Sequence, residues 1–211
     1  MTIPRHACSQ VRPYGAPVVA TLLLALLSGM FHSVQAAQPV PAELKLAIGS
    51  EPTEGFDPLL GWSHGSHLLL HSPLLKQIAG DSADLGWQNV LTQSVTPSKD
   101  GKGWLITLKP DLKFSNGAPL TAEDVAFTYN SAAKGGGKID MGNFVKAEVV
   151  SPTEVAIVLS APQSTFVNVL GSLGIVSKRD YDAKAYAQKP VGAGPYRLVS
   201  FLPGQQLVVE A

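Results

Sequence analysis

Cysteine is nearly absent from this sequence, with Cys8 as the single example among 211 residues. A lone cysteine cannot form a disulfide within the chain, so a hydrophobic core has to stabilise the fold. Charged residues are also few, at 15%, and 16 Lys and Arg balance 16 Asp and Glu. Binding to nucleic acid needs clustered positive charge, so this zero net charge predicts no nucleic-acid partner.

Long apolar runs are confined to one place, between residues 16 and 31. Arg5 and Arg12 precede this run, and Val34-Gln35-Ala36 follows it as a small-x-small cleavage site. This order is typical of a secretory signal peptide. The alternative is a membrane anchor, but a spanning helix needs roughly 20 apolar residues and this run is shorter. The sequence therefore predicts a signal peptide over 1–36 and export to a Gram-negative periplasm.

Cleavage after Ala36 changes both the charge and the cysteine content of the chain. The mature protein keeps 14 of the 16 basic residues, because Arg5 and Arg12 are lost, and all 16 acidic residues, so its net charge is −2. Cys8 leaves with the signal. The mature protein is therefore expected to have no disulfide, no thiol catalysis and no cysteine-ligated metal.

The remaining sequence mixes segments typical of strands with segments typical of helices, which indicates an α/β fold. Thr121-Ala122-Glu123-Asp124 resembles a capping box, and Val125, Tyr129 and Ala132 follow at helical spacing. We therefore expect a helix over 122–133. Further helices are expected at 66–72, 165–173 and 181–188. Strands are expected at 44–48, at 104–109 with a continuation at 112–114, and at 146–150, 154–159, 196–201 and 206–210.

Gly61-Trp62-Ser63-His64-Gly65 matches G-x-S-x-G, the nucleophile elbow of α/β-hydrolases. In that motif a strand leads into the serine, and an acid and a histidine follow far along the chain. Here Pro58 weakens the preceding segment as a strand, and the later histidines, His67 and His71, are too close in sequence to act as the distant base. A secreted serine hydrolase that uses Ser63 is thus the less favoured alternative.

All three histidines of the mature chain, His64, His67 and His71, fall within eight residues. On a helix, His67 and His71 share one face, and two imidazoles on a face can bind Zn²⁺, Ni²⁺ or Cu²⁺. The competing interpretation is that these histidines pack and cap the end of a helix, which we favour for His71. For His64, beside Trp62 in a glycine-rich turn, contact with a ligand and a structural role are equally favoured.

Three stretches carry motifs that occur together in one family. The first runs from Gly49-Ser50-Glu51-Pro52 to Phe56-Asp57-Pro58. The second and most specific runs from Asp100 to Val125 and contains Leu112-Lys113-Phe114-Ser115-Asn116-Gly117. The third is Val191-Gly192-Ala193-Gly194-Pro195-Tyr196-Arg197-Leu198, with Ala193 where the family usually has threonine. In this order they resemble the N-terminal portion of the ABC transporter extracytoplasmic solute-binding proteins, family 5, the peptide and nickel class.

This resemblance implies a particular fold and domain organisation. Members of the family are two-lobed clamps with a type II periplasmic-binding-protein fold. The chain is then expected to hold the first lobe, an α/β unit with an inserted α/β subdomain, while the second lobe is missing. Residues 37–66 and 191–211 would form the core of that lobe, and residues 67–190 the inserted subdomain.

The resemblance also implies binding rather than catalysis. Relatives close two lobes over a ligand, a short peptide or a nickel or other metal complex, and deliver it to a membrane ABC permease. The implied ligand contacts are Trp62, Ser63, His64, His67 and Met141, with His64 and His67 as metal ligands if the cargo contains a metal. The protein is expected to be a monomer without a resident cofactor. A binding or chaperone-like module that no longer serves transport is a further alternative.

Overall fold

The computed structural model describes residues 55–60, 67–78, 86–135 and 139–211, with the backbone alone at residues 67 and 68. The predicted signal peptide and the predicted strand at 44–48 lie outside these residues. In chain order the elements are a 3-10 turn at Pro58–Leu60, α1 (His67–Leu70), β1 (Leu75–Ile78), β2 (Gly86–Asn89), β3 (Thr92–Pro97), β4 (Gly103–Leu108), α2 (Ala122–Lys134), β5 (Phe144–Ser151), β6 (Glu154–Leu159), a 3-10 turn at Ser164–Phe166, α3 (Val167–Ser172), β7 (Arg197–Leu202) and β8 (Gln206–Glu210).

Four of the strands form an antiparallel sheet in the order β3-β4-β6-β5. Strand β6 shows why these residues pair, since Val155, Ile157 and Leu159 are buried and the residues between them are partly exposed. Successive side chains of a strand point to opposite faces, so this alternation gives the sheet one apolar face. The predicted hairpin between β5 and β6 is confirmed, as is the predicted strand at β4.

Helix α2 covers the apolar face of this sheet and packs against β5 and β6. Its buried residues include Val125, Tyr129 and Ala132, the three that the helical spacing identified. Burying an aliphatic or aromatic side chain contributes about 1.5–3 kcal/mol, which explains why the helix is held at this stripe. The predicted helix is confirmed and extends to Lys134.

The start of α2 is fixed by Asp124, which is buried although it carries a carboxylate. One oxygen of Asp124 accepts the Thr121 N–H at 2.9 Å and the other accepts the Lys178 N–H at 2.9 Å. Asp124 therefore completes the capping box and also holds a chain segment 54 residues away. Capping and tertiary attachment are achieved by the same side chain.

The remaining strands form two separate hairpins, β1 with β2 and β7 with β8. Strands β7 and β8 were predicted and are confirmed. Strands β1, β2 and β3 were not predicted, because each of them buries few side chains and lacks a regular alternation. In the described part of the chain, no helix is long and apolar enough to cross a membrane.

Three expected elements differ from the structure. Residues 181–188 form successive turns rather than a helix, with the carbonyl of Asp182 accepting the N–H groups of both Ala185 and Tyr186. The strand at β4 does not continue over 112–114, because Pro110 and the positive φ of Asp111 turn the chain away. The helix expected over 165–173 begins as a 3-10 turn and becomes α-helical at Val167.

Candidate functional site

Asp57, in the first of the family-like motifs, is a buried carboxylate with a side chain only 2% exposed. One oxygen accepts the Leu59 N–H at 2.8 Å, which starts the 3-10 turn that follows. The other oxygen accepts the hydroxyl proton of Tyr181 at 2.8 Å. Burial raises the pKa of Asp57, and the two hydrogen bonds, which favour the carboxylate, oppose that rise only in part.

Tyr181 leads to a second tyrosine and then to a buried histidine. The ring centroids of Tyr181 and Tyr186 are 5.0 Å apart. The hydroxyl of Tyr186 donates to the Val191 carbonyl at 2.7 Å and lies 2.9 Å from Nε2 of His71. A tyrosine hydroxyl has one proton, so when it donates to Val191 it accepts the proton of Nε2. Burial raises the pKa of both tyrosines, which keeps them protonated as donors.

Glycines let the chain pack closely around His71. A Cβ on Gly192 would lie 1.9 Å from the Leu70 carbonyl oxygen, and a Cβ on Gly174 would lie 2.5 Å from the Cβ of His71. The Gly194 N–H also donates to the Leu70 carbonyl at 2.8 Å. A side chain at Gly192 would separate the third family-like motif from helix α1, and one at Gly174 would displace His71.

We call Asp57, His71, Tyr181, Tyr186 and Gly192 the motif junction, because they bring the first and third family-like motifs together. Two of its residues flank residues 61–66 in sequence: Asp57 precedes them and His71 follows them. Sequence reasoning did not identify it, since Asp57 and Tyr181 are 124 positions apart and Tyr181 was expected to begin a helix. The only available signal was a pair of tyrosines five positions apart in a segment with the composition of a short helix.

The predicted ligand contacts are placed as follows. Trp62, Ser63 and His64 lie outside the described residues, and so does the side chain of His67, whose backbone begins α1. Met141 is 8% exposed and belongs to the hydrophobic core. These roles stay predictions.

The described residues contain no group of three or more His, Cys, Asp or Glu side chains that could hold a metal ion. His71 is buried and hydrogen bonded to Tyr186, as a packed helix-end histidine would be. The residues expected to bind a metal, His64 and His67, have side chains outside the described part of the chain.

An open groove of about 390 Å³ lies beside α2 and is lined in part by Glu123, Phe127 and Lys178. The Lys178 ammonium pairs with the Glu123 carboxylate at 2.8 Å, and both side chains are more than half exposed. Because this carboxylate and ammonium already satisfy each other in solvent, the groove offers a weaker case for a ligand site than the chain around the motif junction.

Comparison with known proteins places the chain in a family. The sequence model described as "Bacterial extracellular solute-binding proteins, family 5 Middle" matches residues 86–211. The chain belongs to this family. The match includes α2, the four-stranded sheet and the Gly192 motif, so the predicted resemblance is confirmed.

Two relatives show the range of proteins to which this family member is similar. The glutathione-binding protein GsiB of Salmonella typhi is 33% identical over 127 residues, which are 56% of this chain and 25% of GsiB. The probable D,D-dipeptide-binding periplasmic protein DdpA of Escherichia coli K12 is 27% identical over 204 residues, which are 90% of this chain and 39% of DdpA. The chain thus spans between a quarter and two fifths of the length of these two relatives.

Solved structures agree on the fold. The oligopeptide-binding protein AppA of Bacillus subtilis, in complex with a nonapeptide, matches with a TM-score of 0.67 at 26% identity, over 77% of this chain and 34% of AppA. NikZ of Campylobacter jejuni, in complex with Ni(L-His), matches with a TM-score of 0.67 at 22% identity, over 81% of this chain and 34% of NikZ. The fold is therefore part of a type II periplasmic binding protein, as the sequence predicted.

Proposed function

We propose that the protein is the extracytoplasmic solute-binding component of an ABC importer and that its ligand is a short peptide. Family membership carries this proposal, because the match covers residues 86–211. GsiB is named as a glutathione-binding protein and DdpA as a probable D,D-dipeptide-binding protein, and the AppA structure holds a nonapeptide. These three ligands share peptide bonds and terminal charges. Capture takes place outside the cytoplasm, and the bound form docks on a membrane permease.

The proposed ligand contacts are Trp62, Ser63, His64 and His67. In sequence they fall between Asp57 and His71, two residues of the motif junction. An indole supplies a flat apolar surface, and the hydroxyl and imidazole groups supply hydrogen bonds to peptide groups. Met141 stays a predicted contact apart from these four, since its side chain packs in the hydrophobic core. No chemical step is proposed, since the relatives are named as binding proteins.

A ligand screen by thermal unfolding tests the proposed function. The probes are glutathione, L-alanyl-L-alanine and D-alanyl-D-alanine. A ligand at a hundredfold excess over its Kd stabilises the native state by about 2.7 kcal/mol, which raises the unfolding temperature. Trp62→Ala is expected to remove the shift and Trp62→Phe to retain most of it. Peptides that give no shift with the full-length wild-type protein would contradict the peptide proposal.

The histidine cluster in the sequence supports a nickel or other metal complex as the competing ligand. Ni²⁺ alone and Ni²⁺ with L-histidine therefore belong in the same screen, using wild type and His64→Ala/His67→Ala. Equal nickel affinity in both proteins would assign the cluster a structural role.

The Ser63→Ala variant, assayed with a chromogenic ester, examines the hydrolase alternative, which requires turnover that depends on Ser63. Affinity for a reduced, unfolded protein without any small-molecule ligand would instead favour the chaperone-like module.

A further inference from the structure

Two side-chain anchors, Asp57 and His71, lie fourteen positions apart on either side of the proposed contact segment. Each is buried, and each binds the hydroxyl of a different tyrosine: Asp57 binds Tyr181 at 2.8 Å and His71 binds Tyr186 at 2.9 Å. Both tyrosines belong to one short stretch of chain. The spacing between the two anchors is therefore linked to the spacing between the two tyrosines.

The tyrosines are themselves held in a fixed relationship. Their rings contact each other with centroids 5.0 Å apart, and the Tyr186 N–H donates to the Asp182 carbonyl at 2.7 Å within the same set of turns. Tyr181 also packs edge-on against Phe127 of α2, with ring centroids 5.3 Å apart. The stretch that carries both hydroxyls is thus attached to the covered face of the main sheet through α2.

Backbone hydrogen bonds connect the same stretch to both anchors. The Phe56 N–H donates to the Ala187 carbonyl at 2.8 Å, next to Asp57. At the other anchor, the Gly194 N–H donates to the Leu70 carbonyl at 2.8 Å and the Tyr196 N–H to the Leu69 carbonyl at 3.0 Å. A continuous piece of chain, 181–196, therefore holds residues 56–57 and residues 69–71 together.

We propose that Tyr181 and Tyr186 act as one positioning unit, which sets the separation of the Asp57 and His71 anchors, the two residues that flank the proposed ligand contacts in sequence. Neither tyrosine is proposed to touch the ligand. The part that concerns ligand affinity rests on the proposed function, whereas the coupling of the two anchors does not. In the alternative, each hydroxyl stabilises its own neighbourhood independently.

Tyr129 provides a matched control for removing a tyrosine hydroxyl. Its side chain is fully buried in the core, and its hydroxyl has no hydrogen-bond partner among the described residues. Tyr129→Phe deletes the same atom without breaking a hydrogen bond, from a ring as buried as that of Tyr186 and more buried than that of Tyr181. Any effect shared with Tyr181→Phe or Tyr186→Phe is then due to the loss of a buried hydroxyl as such.

Native-state hydrogen exchange of the full-length protein tests the coupling. The reporters are the Leu59 amide at the first anchor, and the Gly194 and Tyr196 amides at the second. Tyr181→Phe and Tyr186→Phe are each expected to accelerate exchange about tenfold or more at both anchors, while Tyr129→Phe leaves both unchanged. Acceleration confined to the anchor that lost its own hydroxyl bond, or equal to that of Tyr129→Phe, would overturn the proposal.

If a phenylalanine variant fails to fold, Asp57→Asn takes its place and exchange of the Gly194 and Tyr196 amides is measured.

The Kd for glutathione or L-alanyl-L-alanine supplies the second readout. We expect it to rise at least fivefold in Tyr181→Phe and Tyr186→Phe relative to Tyr129→Phe at a temperature where all are folded. An unchanged Kd would overturn the positioning role and leave the proposed function intact. Absence of peptide binding by wild type would instead contradict the proposed function, and hydrogen exchange would still decide whether the anchors are coupled.

Discussion

Gly192 lies so close to Leu70 that a Cβ built on the glycine would be 1.9 Å from the Leu70 carbonyl oxygen. The hydrogen bond from the Gly194 N–H to the same carbonyl holds these two segments of the chain at this distance. The glycine of the third family-like motif is thus required by a backbone that passes next to it. Its requirement comes from space rather than from a special φ angle.

We predict that Gly192→Ala destabilises the protein by about 1–3 kcal/mol or more, because either the methyl group or the Leu70 backbone must move. Equilibrium denaturation by urea measures the change in the free energy of unfolding. Gly86→Ala is the control, since the nearest atom to a Cβ there is the Ile78 Cδ1 at 3.9 Å. Equal stabilities of the two variants would show that the close approach to Leu70 is not a constraint.

Asp124→Ala is predicted to lower the free energy of unfolding by about 1–3 kcal/mol, because the Thr121 and Lys178 N–H groups both lose their acceptor. Glu123→Ala, one position earlier, removes an exposed carboxylate that pairs with the Lys178 ammonium, and it should change stability little. Urea denaturation of both variants makes the comparison. A larger loss in Glu123→Ala would mean that the surface ion pair, and not the buried cap, holds the start of α2.

The third prediction concerns pH and follows from the raised pKa of Asp57. The folded state binds the Asp57 proton more tightly than the unfolded chain, where the pKa is near 3.8. The contribution of Asp57 to the free energy of unfolding is therefore most favourable below the unfolded pKa. That contribution falls progressively as pH rises through the folded pKa, because the buried carboxyl then ionises. Relative to Asp57→Asn, wild type should become less stable as pH is raised from about 4 to 7.

Asp180 supplies the control of opposite sign. The Ser177 hydroxyl, the Asn116 amide and Arg179 lower its pKa below 3.8, so its contribution is present above that value and lost as pH falls through the folded pKa. Urea denaturation between pH 3 and pH 7 of wild type, Asp57→Asn and Asp180→Asn measures both effects. If the two differences changed with pH in the same direction, burial would not control the titration of Asp57.

Some elements were predictable because their signals are local. Helix α2 has its cap and its apolar stripe within thirteen residues, and β6 alternates buried and partly exposed positions along its whole length. Strands β1 and β2 carry no such alternation. The chain turns away after β4 because Asp111 has a positive φ, which an aspartate does not by itself require. Residues 181–188 had the composition of a short helix but are arranged by their contacts with Asp57 and His71.

The amino-acid sequence by itself determined the α/β class, the main helix and hairpin, and the family, because periodicity, caps and ordered motifs are all properties of neighbouring residues. It also carried the expectations of a signal peptide and of ligand contacts near Trp62 and His64. Only the tertiary structure decided that Asp57, Tyr181, Tyr186 and His71 form one buried network. Those residues lie up to 129 positions apart, and the hydrogen bonds between them exist only when the fold brings their side chains together and shields them, wholly or in part, from water.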